Sequence, residues 1–182
     1  MTIASGLNFS TLSAEGIALN ICNTLNNTTP EYPGLPFTFG TETLGLDGSK
    51  WIYAKPAGAY AVGTVGYLDT NWNFTALTTA NAAAVSGLKV GVMSQVASVT
   101  ASPSSTVYDG VWVQVDGACP AINVAASTTA NAQLYTSTVA GQLTSTASTN
   151  VALNGIVLTT AGGASAGNEP GMMNSPEVLL TA

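Results

Sequence analysis

Charged residues are scarce in this sequence. Only 7% of its 182 residues are Asp, Glu, Lys or Arg, against about 25% in an ordinary soluble domain. A monomer normally covers its surface with charges of both signs, so the deficit predicts that much of the surface faces other protein molecules. The three cations are Lys50, Lys55 and Lys89, arginine is absent, and the net charge is −6. Because binding phosphate backbones requires several Lys or Arg contacts, we expect no nucleic-acid partner.

Histidine is absent as well, which removes the commonest general base and the commonest transition-metal ligand. The carboxylates of Asp109 and Asp116 would lie roughly 20 Å apart along a strand, too far for a glycosidase pair. Residues 69–73 match the first positions of a calcium loop, but Phe74 replaces the turn glycine and Ala80 the final glutamate, so we predict a hydrogen-bonded turn. We therefore predict that the protein is not an enzyme and has no catalytic residue, cofactor or metal site.

Cysteines and long apolar runs are also few. Cys22 and Cys119 are the only cysteines, and they leave open one disulfide or two buried thiols, of which we expect the thiols. No segment approaches 18 consecutive apolar residues, and the N-terminus lacks the Lys/Arg-then-apolar pattern of a secretory signal. We expect a soluble protein that is not exported by the Sec pathway and has no membrane partner.

The sequence changes in character near residue 43. Residues 1–43 combine scattered apolar residues with Pro30, Pro33 and Pro36, which predicts an extended N-terminal arm and a Pro-rich connector. Residues 44–182 consist of short alternating segments separated by turns, which predicts a body made of strands. Because no amphipathic helices intervene, the predicted fold class is all-β, as a compact β-barrel or β-sandwich.

Within the body, Asp47-Gly48 predicts the turn of a hairpin that leads into Trp51. Seven further strand candidates follow at short intervals: residues 61–68, 88–99, 111–115, 122–125, 132–135, 152–159 and 177–180. Turns are predicted at five more places: residues 69–73, residues 102–105, Asp116-Gly117, Gly141 and Asn154-Gly155. Residues 79–85 form the helix candidate of the body, and residues 161–176 are predicted to be an irregular tail that ends in a short strand.

Seven aromatic residues lie within or beside the candidate strands: Trp51, Tyr53, Tyr60, Tyr67, Trp72, Tyr108 and Trp112. Aromatic side chains on one exposed face would form a platform on which sugars stack. Their placement in alternating strands instead predicts packing in the core or at a subunit interface.

Several stretches of the body share a strand-and-turn pattern with a known family. They are GSKWIY at 48–53, the small-residue run at 57–63, GLKVGV at 87–92, VWV at 111–113, AQLYTS at 132–137, AGQL at 140–143 and GIVL at 155–158. Over roughly residues 45 to 162 the chain resembles the capsid decoration, or cement, proteins encoded beside the major capsid gene of tailed bacteriophages. None of these stretches is a catalytic signature.

The resemblance implies a homotrimer that is made in the host cytoplasm, binds the major capsid protein on the outer surface of the virion and stabilises the shell. We expect apolar residues of the arm and two tryptophans of the body to contact the capsid and neighbouring subunits. These residues are Leu7, Phe9, Leu12, Ile17, Leu19, Ile21, Trp51 and Trp112.

Two alternatives stay open. A head-fibre or tail-associated adhesin that binds host glycan would share the low charge and the strands, but it requires several aromatic residues together on an exposed groove. A matrix protein of the S-layer kind would instead use Ca²⁺ at the Asp69 turn and assemble in a calcium-dependent way.

Overall fold

The structure, a computed structural model, describes residues 23–26, 37–93, 98–99 and 107–179, and only the backbone of 23–26, 98–99 and 107–109. Strands dominate these ranges, which confirms the all-β prediction. In chain order the strands are β1 Asn23–Asn26, β2 Glu42–Leu44, β3 Lys50–Pro56, β4 Tyr60–Ala61, β5 Val65–Leu68, β6 Asn73–Ala76, β7 Val90–Val92, β8 Ser98–Val99, β9 Val107–Val124, β10 Tyr135–Thr136, β11 Leu143–Thr144, β12 Leu153–Leu158 and β13 Gly167–Val178. One helix, α1 at Thr79–Ala82, continues into a 3-10 turn at Ala83–Val85.

Five of these strands close into a first ring. Strand β9 pairs with β7, β7 with β5, and β5 with β6, all antiparallel. Strand β6 pairs in parallel with the end of β3, and β3 returns to β9 in an antiparallel pairing. The sheet therefore closes on itself, because each of the five strands pairs with two others of the ring.

The interior of the first ring holds a compact apolar core. Its buried residues are Ile52, Ala54, Leu68, Phe74, Met93, Val111, Val113 and Val115. Gly91 on β7 faces this core, and a Cβ added there would lie 2.4 Å from Cγ1 of Val113. Only glycine lets the two strands approach this closely.

The second half of β9 belongs to a second ring and a second core. It pairs with β13, and β13 pairs with β12, both antiparallel. On the other side, β11 pairs in parallel with β9 and antiparallel with β10. Thr136 N donates to Val151 O at 2.8 Å, which links β10 to the chain before β12. The core inside includes Ile122, Val124, Leu134, Leu143, Leu153, Leu158 and Met173 and extends to β5, β7 and the helix.

The prediction of a turn at Asp116-Gly117 is wrong, because residues 111–115 and 122–124 belong to the single 18-residue strand β9. Gly117 takes a positive φ of 91° within that strand. On either side of it the chain keeps its partner, since Asp116 pairs with Asn174 and Ala118 with Met172. Pairing with distant segments therefore overrides a local sequence that is typical of a turn.

Two predictions about the C-terminal third are also wrong. Asn154-Gly155 is not a turn: it lies inside β12, where the register shifts and Gly155 takes a φ of 73°. The tail is not irregular through residue 176, because β13 begins at Gly167 and extends for 12 residues. Although β13 contains Gly and Pro, it pairs with β9 on one side and β12 on the other, which holds it extended.

Other strand candidates are shorter than predicted. Residues 61–68 contain the end of β4 and all of β5. Of residues 132–135, only Tyr135 belongs to a strand, as the first residue of β10. The candidate at 88–99 contains β7 and β8, and residues 94–97 between them lie outside the described ranges. The local predictions hold better. The hairpin at Asp47-Gly48 joins β2 to β3, and the helix forms at residues 79–85 with Thr78 as its N-cap.

Candidate interaction surface

Most of the charged side chains that the structure describes have a structural partner. Asp47 Oδ1 accepts from Ser49 N at 3.0 Å, and Ser49 Oγ in turn accepts from Trp51 Nε1 at 2.7 Å. Asp116 Oδ2 accepts from Ser175 N at 3.0 Å, which joins β9 to β13. Within the described ranges, no three His, Cys, Asp or Glu side chains come together to hold a metal ion. These carboxylates fasten turns and strands.

The turn at residues 69–73 forms as predicted. Asp69 Oδ1 accepts from Asn71 N at 2.8 Å and from Asn73 N at 2.9 Å, and Oδ2 accepts from Asn73 Nδ2 at 2.7 Å. Desolvation raises the pKa of Asp69, but these hydrogen bonds outweigh it and hold the pKa below its usual value. Both oxygens thus serve the turn, as a capping aspartate does.

The three largest fully buried side chains, Trp51, Trp112 and Tyr53, form a cluster on the outer face of β3 and β9. Trp51 is 1% exposed and Trp112 0%, and Tyr53 packs in the same cluster with its ring centroid 5.1 Å from that of Trp112. Phe37 and Phe39 cover the cluster, the first edge-on to Trp112 at 5.3 Å and the second stacked on Tyr53 at 5.6 Å. We call these five residues the aromatic face.

The aromatic face bears on two predictions. Trp51 and Trp112 are expected contact residues, yet both indoles lie inside the chain and leave no surface for a second subunit. The adhesin alternative requires aromatic residues on an exposed groove. Of the other aromatic candidates, Tyr60 and Trp72 pack against the first core and Tyr67 against the second, whereas the side chain of Tyr108 lies outside the described part.

The expected arm contacts Leu7, Phe9, Leu12, Ile17, Leu19 and Ile21 also lie outside the described residues. The chain next appears at β1, which pairs antiparallel with the first residues of β9, Asn23 opposite Gly110. The expected roles of the six arm residues therefore stay predictions.

An exposed edge is found at residues 42–50, which we call the hairpin edge. Strand β2 stands at the end of the strand order and pairs with β3. Leu44 and Leu46 are each 52% exposed there. Glu42 accepts from Lys50 at 2.7 Å and lies 3.5 Å from Lys89, so two of the three lysines converge on one carboxylate. A shallow cleft of about 380 Å³ is lined by Glu42, Thr43, Leu44 and Lys50.

The charges at the hairpin edge hold one another in place. The hydrogen bond from Lys50, together with the positive charges of Lys50 and Lys89, keeps the pKa of Glu42 below its usual value despite some desolvation. Charged side chains on an edge strand oppose the addition of a further strand to that edge. The exposed Leu44 and Leu46 beside them offer an apolar contact to a partner.

A second open feature lies beside β12, where a groove of about 400 Å³ is lined by residues from three separate segments. The exposed side chains around it include Asn131, Asn154, Met172 and Asn174, and no charged side chain lines it. We call it the amide groove. The sequence gives no sign of it, because Asn154-Gly155 is typical of a turn and the three segments meet only in the folded sheet.

No described helix is long and apolar enough to cross a bilayer. Comparison of the chain with protein-family models, with curated proteins and with solved structures finds no match in any of the three.

Proposed function

We propose that this chain is a structural protein that binds the outside of a tailed-phage capsid and stabilises the shell. The observation that carries the proposal is the hairpin edge, where the last strand in the described strand order, two exposed leucines and charges of both signs lie together. Protein interfaces combine an apolar centre with a polar rim, and this surface has both on a small scale. The low charge of the whole chain and its resemblance to decoration proteins support the same function.

The hairpin edge contributes a weak contact in each copy. Removing one half-exposed leucine from water is worth roughly 1 kcal/mol, so Leu44 and Leu46 together stabilise an interface only modestly. In a homotrimer, however, three linked copies meet the same shell, and each contact raises the effective concentration for the next. We infer that the three hairpin edges face the major capsid protein.

The N-terminal arm supplies the second contact of the proposal. Ordering an arm on a partner costs about 1–2 kcal/mol per residue in conformational entropy. The arm must therefore bury apolar groups in return. Its apolar residues are Leu7, Phe9, Leu12, Ile17, Leu19 and Ile21.

The test measures occupancy on particles that lack the protein and are then mixed with purified variants. We expect Leu44→Asp combined with Leu46→Asp to lower occupancy about tenfold, because two charged groups would be desolvated at the contact. Val139→Asp is the matched control, since Val139 is 53% exposed outside the hairpin edge. Equal occupancy of all variants would remove the hairpin edge from the proposal.

Deletion of residues 1–22 tests the arm separately and leaves β1 in place. We expect occupancy to fall while the thermal unfolding midpoint of the body stays unchanged. Unchanged occupancy after this deletion would contradict a role of the arm in binding.

A further inference from the structure

The amide groove is a gap in the second ring. At one end of the gap Leu153 N donates to Leu134 O at 2.9 Å, and at the other Asn131 N donates to Leu158 O at 3.0 Å. Between these hydrogen bonds the segment 131–134 separates from β12, and the amide of Gln133 spans part of the gap to reach Leu153 O. The groove is thus closed at both ends by the fold.

One backbone peptide group of β12 faces the gap. Thr159 N donates to Pro170 O at 3.0 Å on the β13 side. Because peptide groups alternate along an antiparallel strand, those of Leu158 and Ile156 then point away from β13. Leu158 O accepts from Asn131 N accordingly, which leaves the N–H and C=O of Ile156 as a donor and an acceptor toward the groove.

Three exposed asparagine amides surround this backbone group. The side chains of Asn131, Asn154 and Asn174 enter none of the hydrogen bonds found among the described residues. Each amide offers two donors and one acceptor oxygen. With no charged side chain in the lining, the groove offers no opposite charge to offset the desolvation of a phosphate, a carboxylate or a cation.

The floor of the groove is apolar. Val157 is half-buried, Met172 is 45% exposed, and the buried Ile156 and Met173 lie beneath them. A volume of about 400 Å³ falls in the usual range of small-molecule sites. A ligand that fits would be compact, uncharged, rich in paired donors and acceptors, and apolar on one face.

We propose that the amide groove binds a neutral saccharide, with the C–H face of one pyranose ring on Val157 and Met172 and its hydroxyl groups on the asparagine amides. An added peptide strand fits less well, because strand addition requires a run of ladder hydrogen bonds and the gap presents the peptide group of a single residue. The inference does not rest on the capsid proposal, since the groove and the hairpin edge share no residue.

The experiment is a titration of the ¹⁵N-labelled full chain with glucose, galactose, mannose and N-acetylglucosamine, each up to about 50 mM. The readout is the chemical shift of the side-chain amide groups of Asn131, Asn154 and Asn174. We expect at least one sugar to shift these signals with a dissociation constant on the order of 1–10 mM, as the small size of the ligand allows. Titration with a disaccharide of that sugar then distinguishes two kinds of site. A disaccharide that binds as tightly as the monosaccharide indicates a site for one ring, and a disaccharide that binds more tightly indicates a site for a glycan chain.

Variants make the outcome decisive. Asn154→Leu and Asn174→Leu should each weaken binding about tenfold, because each removes hydrogen bonds to the sugar. Asn71→Leu is the matched control, since Asn71 is exposed in the turn after Asp69 and is not part of the groove lining. All three should keep the thermal midpoint of the unmodified chain. The absence of shifts with all four sugars, or shifts that survive both groove substitutions, would overturn the proposal.

Discussion

The aromatic face lies on β3 and the first half of β9, whereas the amide groove lies at β12 and β13. The two places differ in solvent exposure and in side-chain chemistry. The aromatic face combines the bulkiest side chains of the fold with exposures of 1% or less for Trp51, Tyr53 and Trp112, under a cover of two phenylalanines. The groove is open and uncharged, and the amides of Asn131, Asn154 and Asn174 in its lining enter no hydrogen bond found among the described residues. The aromatic face therefore contributes to the stability of the fold, whereas the groove offers groups that can contact a ligand.

Strand β9 explains how one sheet supports both features. In its first half, Val111, Val113 and Val115 point into the first ring, while Trp112 points outward to the aromatic face. Strands β1, β3 and β7 pair with the first half of β9, and β13 and β11 with the second, so the backbone is held and side chains alternate between faces. The outer face of the first half is filled with rings, whereas the second half leads to β13 and the groove.

The largest expected effect contrasts the two places directly. Trp112→Ala removes a fully buried indole and should lower the free energy of unfolding by about 3–5 kcal/mol, through lost burial and the cavity left behind. Asn154→Ala, at the exposed rim of the groove, should change it by less than about 0.5 kcal/mol. Denaturant unfolding of both variants measures the difference.

A third variant sharpens this comparison. Trp112 Nε1 is buried without a hydrogen-bond partner among the described residues, so Trp112→Phe removes an unsatisfied donor while keeping an aromatic ring. We expect Trp112→Phe to lower the free energy of unfolding by less than half as much as Trp112→Ala does. Similar losses in Trp112→Ala and Asn154→Ala would contradict the assignment of stability to the aromatic face.

The next effect concerns the tight packing of the first ring. Gly91→Ala should destabilise the chain by about 1–3 kcal/mol, because the new methyl group would lie 2.4 Å from Val113 Cγ1 in a filled core. Gly163→Ala is the matched control, since nothing lies within 4 Å of a Cβ there. The control should leave the free energy of unfolding unchanged or raise it by up to about 1 kcal/mol. Equal losses at both positions would mean that the ring is not closely packed.

The smallest effect belongs to the exposed hairpin edge. The pKa of Glu42 is lowered in the folded chain, so its ionised form adds stability above the usual value of 4.5, and this contribution disappears as the pH falls through the lowered pKa. Because the side chains of Glu42 and Lys50 are 43% and 37% exposed, their ion pair should add no more than about 1 kcal/mol to the free energy of unfolding.

Glu42→Gln isolates this contribution. Free energies of unfolding at about pH 7 and about pH 3 should differ less in the variant than in the unmodified chain. Asp69, whose pKa is also lowered, titrates in both proteins and cancels in the comparison. An identical pH dependence in the two proteins would show that the ion pair adds nothing to stability.

The sequence predicts best those features that depend on neighbouring residues. Asp47-Gly48 gives the hairpin turn, Thr78 caps the helix through Asn81 N, and Asp69 closes its own turn through Asn71 and Asn73. Each of these structures is held by hydrogen bonds within a few positions, so local residue preferences decide them.

Features that depend on distant partners are predicted poorly. Asp116-Gly117 and Asn154-Gly155 favour turns locally, but pairing with β13 on both sides of each glycine keeps the chain extended. The amide groove is invisible in the sequence for the same reason, since Asn154 and Asn174 come together when β12 and β13 pair, and Asn131 joins them through the hydrogen bond from its N–H to Leu158 O. The burial of Trp51 and Trp112 beneath Phe37 and Phe39 likewise depends on a long-range contact.

The measurement that tests the proposed function most directly is immunogold electron microscopy of a lysate that contains the native particles, with antibody raised against this chain. The account predicts regular labelling over the head, at positions that the antibody reaches from outside. Labelling confined to tails, or absent from particles, would contradict the role as a shell component and would favour the adhesin or matrix alternative.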